Sequence, residues 1–222
     1  MDFITQLDKS FRANSNSEFA AQMKSYLKDR FELYGIKSKL RRDLLKPLAK
    51  NNALEIRDTI RTLAFNLYDF KQREMHLCAI ELFEKQLRKS YKKEDINSIE
   101  KLISVNSWWD SVDFIAKQIL GKYLIIHPNE TEKIITNFSN SENLWLNRSS
   151  IIFQLGYKEN TNKELLFHQC LEHKESNEFF IQKAIGWALR EYGTYNPKDV
   201  LTFVKNSNLK PLSKREAIRK LL

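Results

Sequence analysis

Apolar residues recur every three to four positions along nearly the whole chain, with charged and polar residues between them. This spacing predicts amphipathic helices joined by short links. Chain breakers support several boundaries: Asn129 caps a helix after Pro128, Asn196 caps one before Pro197, and the last helix opens just after Pro211, at its Ser-Lys-Arg-Glu run. The predicted helices cover about residues 2–13, 17–31, 38–51, 54–68, 73–90, 94–105, 108–125, 130–139, 144–156, 162–173, 178–193, 198–206 and 213–221.

The longest apolar helices repeat along the chain. They begin near residues 73, 108, 144 and 179, a spacing of about 35 residues, and a second, shorter helix follows each one. Paired helices at this period predict a HEAT-like solenoid, in which each pair buries its apolar face against its neighbours. Since no Ser/Gly-rich linker divides the chain, the sequence predicts one domain over residues 1–222.

Composition narrows the class of protein. With 5 Gly and 4 Pro in 222 residues, an all-helical fold is favoured over a sheet with many hairpins. Lys and Arg number 37 against 28 Asp and Glu, a formal charge of +9, which points to a polyanionic partner such as nucleic acid or a membrane surface.

The same composition offers little for other chemistries. The 2 cysteines show no metal-ligand or disulfide spacing, and the 4 histidines form no ligand cluster, so neither a metal nor a cofactor is predicted. No apolar run is typical of a signal peptide or a transmembrane helix, and a reducing cytosol fits the cysteine usage.

The segment Ser107–Asp113 carries two tryptophans and two aspartates at the start of a predicted helix. With Ser107 as N-cap, Asp110 completes a capping box and has a structural role. Asp113 lies beyond the turn where a carboxylate stabilises a helix N-terminus, and it follows Trp109 by one turn on the same face. A carboxylate beside an indole is an unusual pairing in a basic protein.

Three successive long helices place chemistry-bearing residues at comparable positions. If the helices stack as a solenoid, an indole and a carboxylate from the first, an arginine from the second and an indole from the third meet in one groove: Trp109, Asp113, Arg148 and Trp187. Basic residues follow the same stripes at Lys117, Lys183 and Arg190.

Each of these residues also has a plainer interpretation. Tryptophans are mostly core residues, and we expect Trp108 and Trp145 to be core, whereas Trp109 and Trp187 fit a core or a binding role equally. Asp113 and Arg148 could form a simple ion pair between helices. The basic residues could be a solvated face, and these residues alone name no reaction.

The chain resembles the AlkD family of alkylpurine DNA glycosylases over most of its length. The order and spacing of several motifs carry the resemblance: Tyr34-Gly35-Ile36 with Arg41-Arg42, Arg73-Glu74-Met75-His76 with Cys78-Ala79-Ile80-Glu81, Ser107 to Asp113, Leu144-Trp145-Leu146 with Arg148, Phe180 to Glu191, and Pro211-Leu212-Ser213 with Arg215-Glu216-Ala217. The resemblance implies an all-α, right-handed superhelical solenoid of HEAT-like helical pairs.

The resemblance also implies an activity: hydrolysis of the N-glycosidic bond of cationic N3- and N7-alkylated purines, such as 3-methyladenine and 7-methylguanine, in duplex DNA without base flipping. By the same resemblance Asp113 is the catalytic carboxylate, Arg148 holds Asp113 or a flanking phosphate, and Trp109 and Trp187 contact the lesion. The enzyme is expected to be monofunctional and cytoplasmic, in a bacterial-type cytosol and associated with the nucleoid when bound to DNA, to need no cofactor and to bind no membrane. A solenoid of this size is also expected to be a monomer.

The resemblance is weaker at the N-terminal helices. There it implies DNA contacts at Tyr26 and Lys37, but at Lys37 a lysine replaces the glutamine expected for the family. A role for a neutral amide is therefore in doubt, although a lysine can still hold a phosphate.

Two other functions remain open at this point. One is a non-catalytic DNA-binding protein of the same fold that recognises damaged or branched DNA by shape and charge. The other is a helical scaffold for a protein partner, which the basic charge disfavours.

Overall fold

The computed structural model describes residues 1–219 and Leu221, which form helices joined by turns and loops, with no β-strand among them. The main helices are α1 (Phe3–Ala13), α2 (Ser17–Tyr26), α3 (Ser38–Asn51), α4 (Ala53–Tyr68), α5 (Arg73–Leu87), α6 (Asp95–Ser104), α7 (Trp109–Phe114), α8 (Gly121–Ile126), α9 (Thr131–Ser139), α10 (Leu144–Ile152), α11 (Lys163–Glu172), α12 (Phe179–Gly193), α13 (Pro197–Asn206) and α14 (Pro211–Ile218). The predicted all-α class is therefore confirmed. Nowhere in the described part of the chain is a helix long and apolar enough to cross a membrane.

The helices group into two compact units, Met1–Ser90 and Tyr91–Leu222. The first contains α1 to α5 and the second contains α6 to α14. The single domain over residues 1–222 stays a prediction, as does the right-handed superhelical course of the chain.

In the first unit, amphipathic helices bury one apolar face each. Helix α1 buries Phe3, Leu7 and Phe11, which are spaced by four residues as a helical stripe requires. The buried carboxylate of Glu74, at the start of α5, accepts hydrogen bonds from the backbone N–H groups of Tyr34 and of the two residues after it, at 2.9 to 3.2 Å. This contact ties the loop before α3 to α5, because a buried carboxylate is stable only when its oxygens are bonded.

Gly35 lies in that loop with a φ of +83°, and a Cβ there would lie 2.0 Å from the backbone oxygen of Asn16. We expect Gly35→Ala to lower the free energy of unfolding by more than about 2 kcal/mol, because backbone strain and a backbone collision add. Gly156→Ala is the matched control: its φ is +93°, but its Cβ would meet only the flexible Lys117 side chain, at 3.2 Å. Its cost should be about 1 kcal/mol. Urea unfolding compares the two, and equal small losses would contradict this packing of Gly35.

In the second unit, an apolar cluster is built mainly from residues of α10 to α14, with Ala116 of the segment after α7. Helices α12 and α14 approach so closely that a Cβ on Gly186 would lie 2.3 Å from the Cβ of Glu216. The glycine therefore permits a crossing that any side chain would block.

The helical repeat agrees with the sequence, since α5, α7, α10 and α12 begin at residues 73, 109, 144 and 179. Several ends differ. Helix α2 stops at Tyr26 rather than near residue 31, because Lys28 and Asp29 both adopt a φ of 58°. The last helix begins at Pro211, which occupies its first turn, and not at Ser213. A short 3-10 helix, Pro128–Glu130, replaces the predicted cap at Asn129, so α9 begins at Thr131.

The long helix predicted for residues 108–125 is interrupted by a π-helical segment, Ile115–Leu120, between α7 and α8. The interruption lies where the backbone of Phe153 comes close: a Cβ on Gly121 would lie 2.5 Å from its carbonyl oxygen. The Tyr157 hydroxyl donates a hydrogen bond of 2.5 Å to the Gly121 carbonyl. A π-helical turn often marks a functional site, and this one begins two residues after Asp113.

Candidate functional site

Asp113 on α7 and Arg148 on α10 form a bidentate ion pair. Arg148 Nε donates to Asp113 Oδ1 at 2.7 Å, and Arg148 Nη2 donates to Oδ2 at 2.9 Å. The Arg148 side chain is 5% exposed and that of Asp113 is 19% exposed. The two side chains therefore meet as predicted, with the arginine enclosed and the Asp113 side chain partly open to solvent.

Arg148 has a third anchor. Its Nη1 donates to the backbone carbonyl of Phe180 on α12, and its guanidinium carbon lies 5.9 Å from the centre of the Phe180 ring. Arg148 thus links α7, α10 and α12. This geometry suits an arginine that holds Asp113 better than one that reaches for a phosphate.

Three aromatic rings pack together beside the ion pair. The ring centres of Trp108, Trp145 and Phe180 lie 5.0 to 5.6 Å apart. Trp108 is buried, as predicted, but Trp145 is only half-buried. This aromatic group adjoins the ion pair through Phe180, whose ring centre lies 5.9 Å from the Arg148 guanidinium carbon. Apolar surroundings strengthen an ion pair, because they lower the local dielectric constant.

Trp109 and Trp187, whose sequence fits a core role and a binding role equally, are both half-buried. Trp109 is the first residue of α7, one helical turn before Asp113. Trp187 on α12 packs against the apolar cluster of the second unit without being enclosed by it. Each indole is therefore partly supported by protein and partly accessible, and a role in binding stays a prediction.

The basic residues of the second unit face carboxylates. Lys117 Nζ lies 4.0 Å from Glu191, while Lys183 Nζ and Arg190 Nη1 lie 3.1 and 2.9 Å from the same oxygen, Oε2 of Glu216. Burial raises the pKa of Glu216, but hydrogen bonds from Lys183 and Arg190 outweigh it and hold that pKa below its ordinary value. The carboxyl is therefore ionised at neutral pH, and these cations are more ordered than a solvated face would be.

The remaining two predicted contacts lie in the first unit. Tyr26, the last residue of α2, is exposed, and Lys37 precedes α3 with its ammonium 3.6 Å from the centre of the Phe19 ring. This cation–π contact holds the exposed lysine against α2. DNA contacts at Tyr26 and Lys37 stay predictions.

The predicted capping box at Ser107 is wrong. Helix α7 starts one residue later than expected, with Trp108 in the N-cap position. Ser107 Oγ instead donates to the carbonyl of Ile103 at the end of α6. Asp110 still lies in the first turn of α7, where a carboxylate favours the positive end of the helix dipole.

Two residues of the site, Phe180 and Glu216, were not predicted from the sequence. The contact with Phe180 uses its backbone carbonyl, which no side-chain pattern reveals. A role for Glu216 was predictable from the sequence pattern, because this carboxylate lies on the side of α14 that also buries Ser213 and Ala217. A carboxylate on a buried helix face requires a cation or a hydrogen-bond donor as its partner, and Lys183 and Arg190 were candidates for that partner.

Fold and site together define an all-α protein whose second unit holds an arginine-bound carboxylate, one helical turn after a half-buried indole, and a separate group of paired cations on α12. The family model for DNA alkylation repair enzymes matches residues 7–221. The chain belongs to this family of DNA alkylation repair enzymes.

A solved structure supports the assignment. The chain is 33% identical to a protein titled "Predicted DNA alkylation repair enzyme from Enterococcus faecalis", with a TM-score of 0.86 over 93% of this chain and 96% of that one. A search of the curated proteins finds no match.

Proposed function

We propose that this protein is a monofunctional DNA glycosylase that hydrolyses the N-glycosidic bond of cationic N3- and N7-alkylated purines, such as 3-methyladenine and 7-methylguanine. The observation that carries the proposal is the Asp113 carboxylate, held at both oxygens by Arg148 and still partly open to solvent beside Trp109. The partner is duplex DNA, which the family and the net charge of +9 support. In this proposal the enzyme acts as a monomer in the cytoplasm.

The chemistry follows from the charge of the lesion. An alkyl group on N3 or N7 makes the purine a cation, so the base departs as a neutral molecule with the electrons of the C1′–N bond. Positive charge then develops on the sugar, and water adds to C1′ and loses a proton. No general acid is needed. A fixed carboxylate stabilises the sugar cation, as carboxylates do in glycoside hydrolysis.

Arg148 makes this role compatible with the ion pair. A carboxylate has about four lone-pair positions, and the bidentate contact occupies two of them. The others are available to the sugar or to the attacking water. Arg148 therefore orients Asp113 without closing it off.

In this proposal, the indoles of Trp109 and Trp187 are electron-rich surfaces that contact the cationic nucleotide. A cation over an indole gains roughly 0.5–2 kcal/mol. Contacts of this kind can recognise the lesion from the edge of the duplex, and we propose on the basis of the family resemblance that the base stays stacked.

The experiment is single-turnover incubation with a duplex that carries one 7-methylguanine, with free base separated from DNA by chromatography. We expect free 7-methylguanine to accumulate at a rate proportional to bound enzyme, and duplex affinity to fall steeply with salt, with a log–log slope of about −0.9 per phosphate contact. Tight, salt-dependent binding without base release would make the protein a non-catalytic DNA-binding member of the family.

Trp109→Ala should lower the preference for lesion-containing over undamaged duplex by roughly 2- to 30-fold, the value of one cation–π contact. Trp109→Phe keeps an aromatic face and should lose less. Affinities for both duplexes, measured at one salt concentration, check the prediction. Equal losses on the two duplexes would mean that Trp109 only supports the fold.

A further inference from the structure

Glu216 on α14 is a nearly buried carboxylate, 8% exposed at its side chain, that gathers several cations. Its Oε2 atom lies 3.1 Å from Lys183 Nζ, 2.9 Å from Arg190 Nη1 and 3.9 Å from Arg219 Nη1. A surface ion pair would explain one such contact. Two short contacts to one oxygen form a built cluster.

The position of this carboxylate is set by the backbone. Arg190 Nη1 also donates to the Glu216 carbonyl at 2.7 Å, and the close crossing at Gly186 brings the Glu216 Cβ against the axis of α12. Glu216 therefore cannot move away from α12 unless α12 and α14 separate. It differs in this respect from an exposed carboxylate, whose ion pairs contribute little.

The cations held by Glu216 flank Trp187. Lys183 lies one turn before Trp187 on α12 and Arg190 lies one turn after it, so the three share one side of the helix. Because Lys183 and Arg190 contact the same oxygen, their charged nitrogens are kept next to each other. Lysine has three donors and arginine five, so each retains donors for a second acceptor.

A buried carboxylate is costly on a surface that binds DNA, since it repels phosphates. A purely electrostatic DNA surface would gain from its removal. Its presence indicates that the arrangement of the cations matters more than their net charge. A phosphodiester oxyanion is the acceptor that a lysine and an arginine side by side recognise in DNA.

We propose that Glu216 is a positioning residue: it fixes Lys183 and Arg190 as a preformed receptor for one backbone phosphate of the DNA beside Trp187, and so sets the register of the lesion against Asp113. The proposal rests on the proposed glycosylase function. It assigns Glu216 no contact with DNA and no part in the chemical step.

The test is Glu216→Gln, which keeps the shape of the side chain and removes its charge. Affinity for undamaged duplex should stay within a few-fold of the wild-type value, because removal of one repulsive charge offsets loss of the fixed phosphate contact. Single-turnover release of 7-methylguanine from fully bound duplex should fall by about tenfold or more, because the lesion loses its register. Damage to the fold would lower both quantities, so a loss of release with retained affinity identifies positioning.

Two control variants show whether the effect of Glu216→Gln on release is specific to this position and to its charge. Glu172→Gln removes an exposed carboxylate on α11 and should leave release from bound duplex at the wild-type rate. Glu216→Asp keeps the charge and should recover part of the lost rate. Wild-type release by Glu216→Gln, or a joint loss of binding and release with a lower Tm, would overturn the proposal.

A scan with methylphosphonates, which neutralise one phosphate at a time, tests the receptor separately from the activity. We expect one position beside the lesion to weaken binding by the wild type, and this position-specific loss to vanish in Glu216→Gln. If the wild type released no base, the glycosylase function would be wrong, but this scan would still test the role of Glu216. An identical scan in the wild type and in Glu216→Gln would overturn that role. If Glu216→Gln folds poorly, Lys183→Gln replaces it in the scan. We expect this variant also to lose the effect of a methylphosphonate at that position.

Discussion

Asp113→Asn is expected to lower the rate of 7-methylguanine release by at least about 10²–10³-fold while duplex affinity stays equal or rises slightly. A fixed charge at the reacting centre has an effect of this size, since the amide cannot stabilise a sugar cation. Affinity should not fall, because the substitution removes a charge that repels phosphate. Single-turnover release and equilibrium binding on the same duplex measure the two quantities.

Asp110→Asn is the matched control for this variant. Asp110 lies on the same helix, three residues earlier, in the first turn. Its substitution should leave the rate of release unchanged, because Arg148 holds the Asp113 carboxylate and not that of Asp110. Normal release by Asp113→Asn, or equal losses in both variants, would contradict the catalytic assignment.

Arg148→Ala should have the largest effect on stability, lowering the free energy of unfolding by about 3 kcal/mol and abolishing measurable release. The substitution leaves the Asp113 carboxylate and the Phe180 carbonyl without the arginine's three hydrogen bonds. Breaking a largely buried pair by removing one partner is costly, because the other charge stays behind. Urea unfolding and single-turnover release provide the measurements.

Two further variants separate the roles of Arg148. Arg148→Lys keeps the charge but not the planar fork, so it should recover stability in part and release hardly at all. In the double variant with Asp113→Asn, the loss of stability should be smaller than the sum of the single losses, because the two residues contact each other. Strict additivity would show that the ion pair is not the source of the effect.

The helices were predictable because each one follows a local pattern. Helix α3 spans Ser38–Asn51, the predicted range, and its apolar residues keep helical spacing to the end. The contact between Asp113 and Arg148 was predictable from the repeat, because residues 35 positions apart occupy equivalent places on α7 and α10.

What the sequence did not reveal depends on contacts between distant segments. The π-helical segment at Ile115–Leu120 lies where the backbone of Phe153 meets Gly121, and no local propensity encodes that approach. The capping box at Ser107 failed because a serine hydroxyl can bond to the preceding helix as readily as to the next one.

The ordered cations illustrate the same limit. Lys183 and Arg190 were predicted from their spacing along α12, but their partner, Glu216, lies 26 residues or more further along the chain. Only the close crossing of α12 and α14 at Gly186 brings that carboxylate to them. The Lys183 and Arg190 side chains are therefore held more firmly than the pattern of basic residues along α12 indicates.

In the proposed reaction, the positive charge of the lesion itself drives departure of the base. Two duplexes that differ only in the position of one methyl group, on N7 or on O6 of the same guanine, test this role of the charge directly, since 7-methylguanine is a cation and O6-methylguanine is neutral. Single-turnover incubation of the wild-type protein with each duplex should release free 7-methylguanine and no O6-methylguanine. Retention of 7-methylguanine in DNA that the protein binds, or equal release of both bases, would contradict the account.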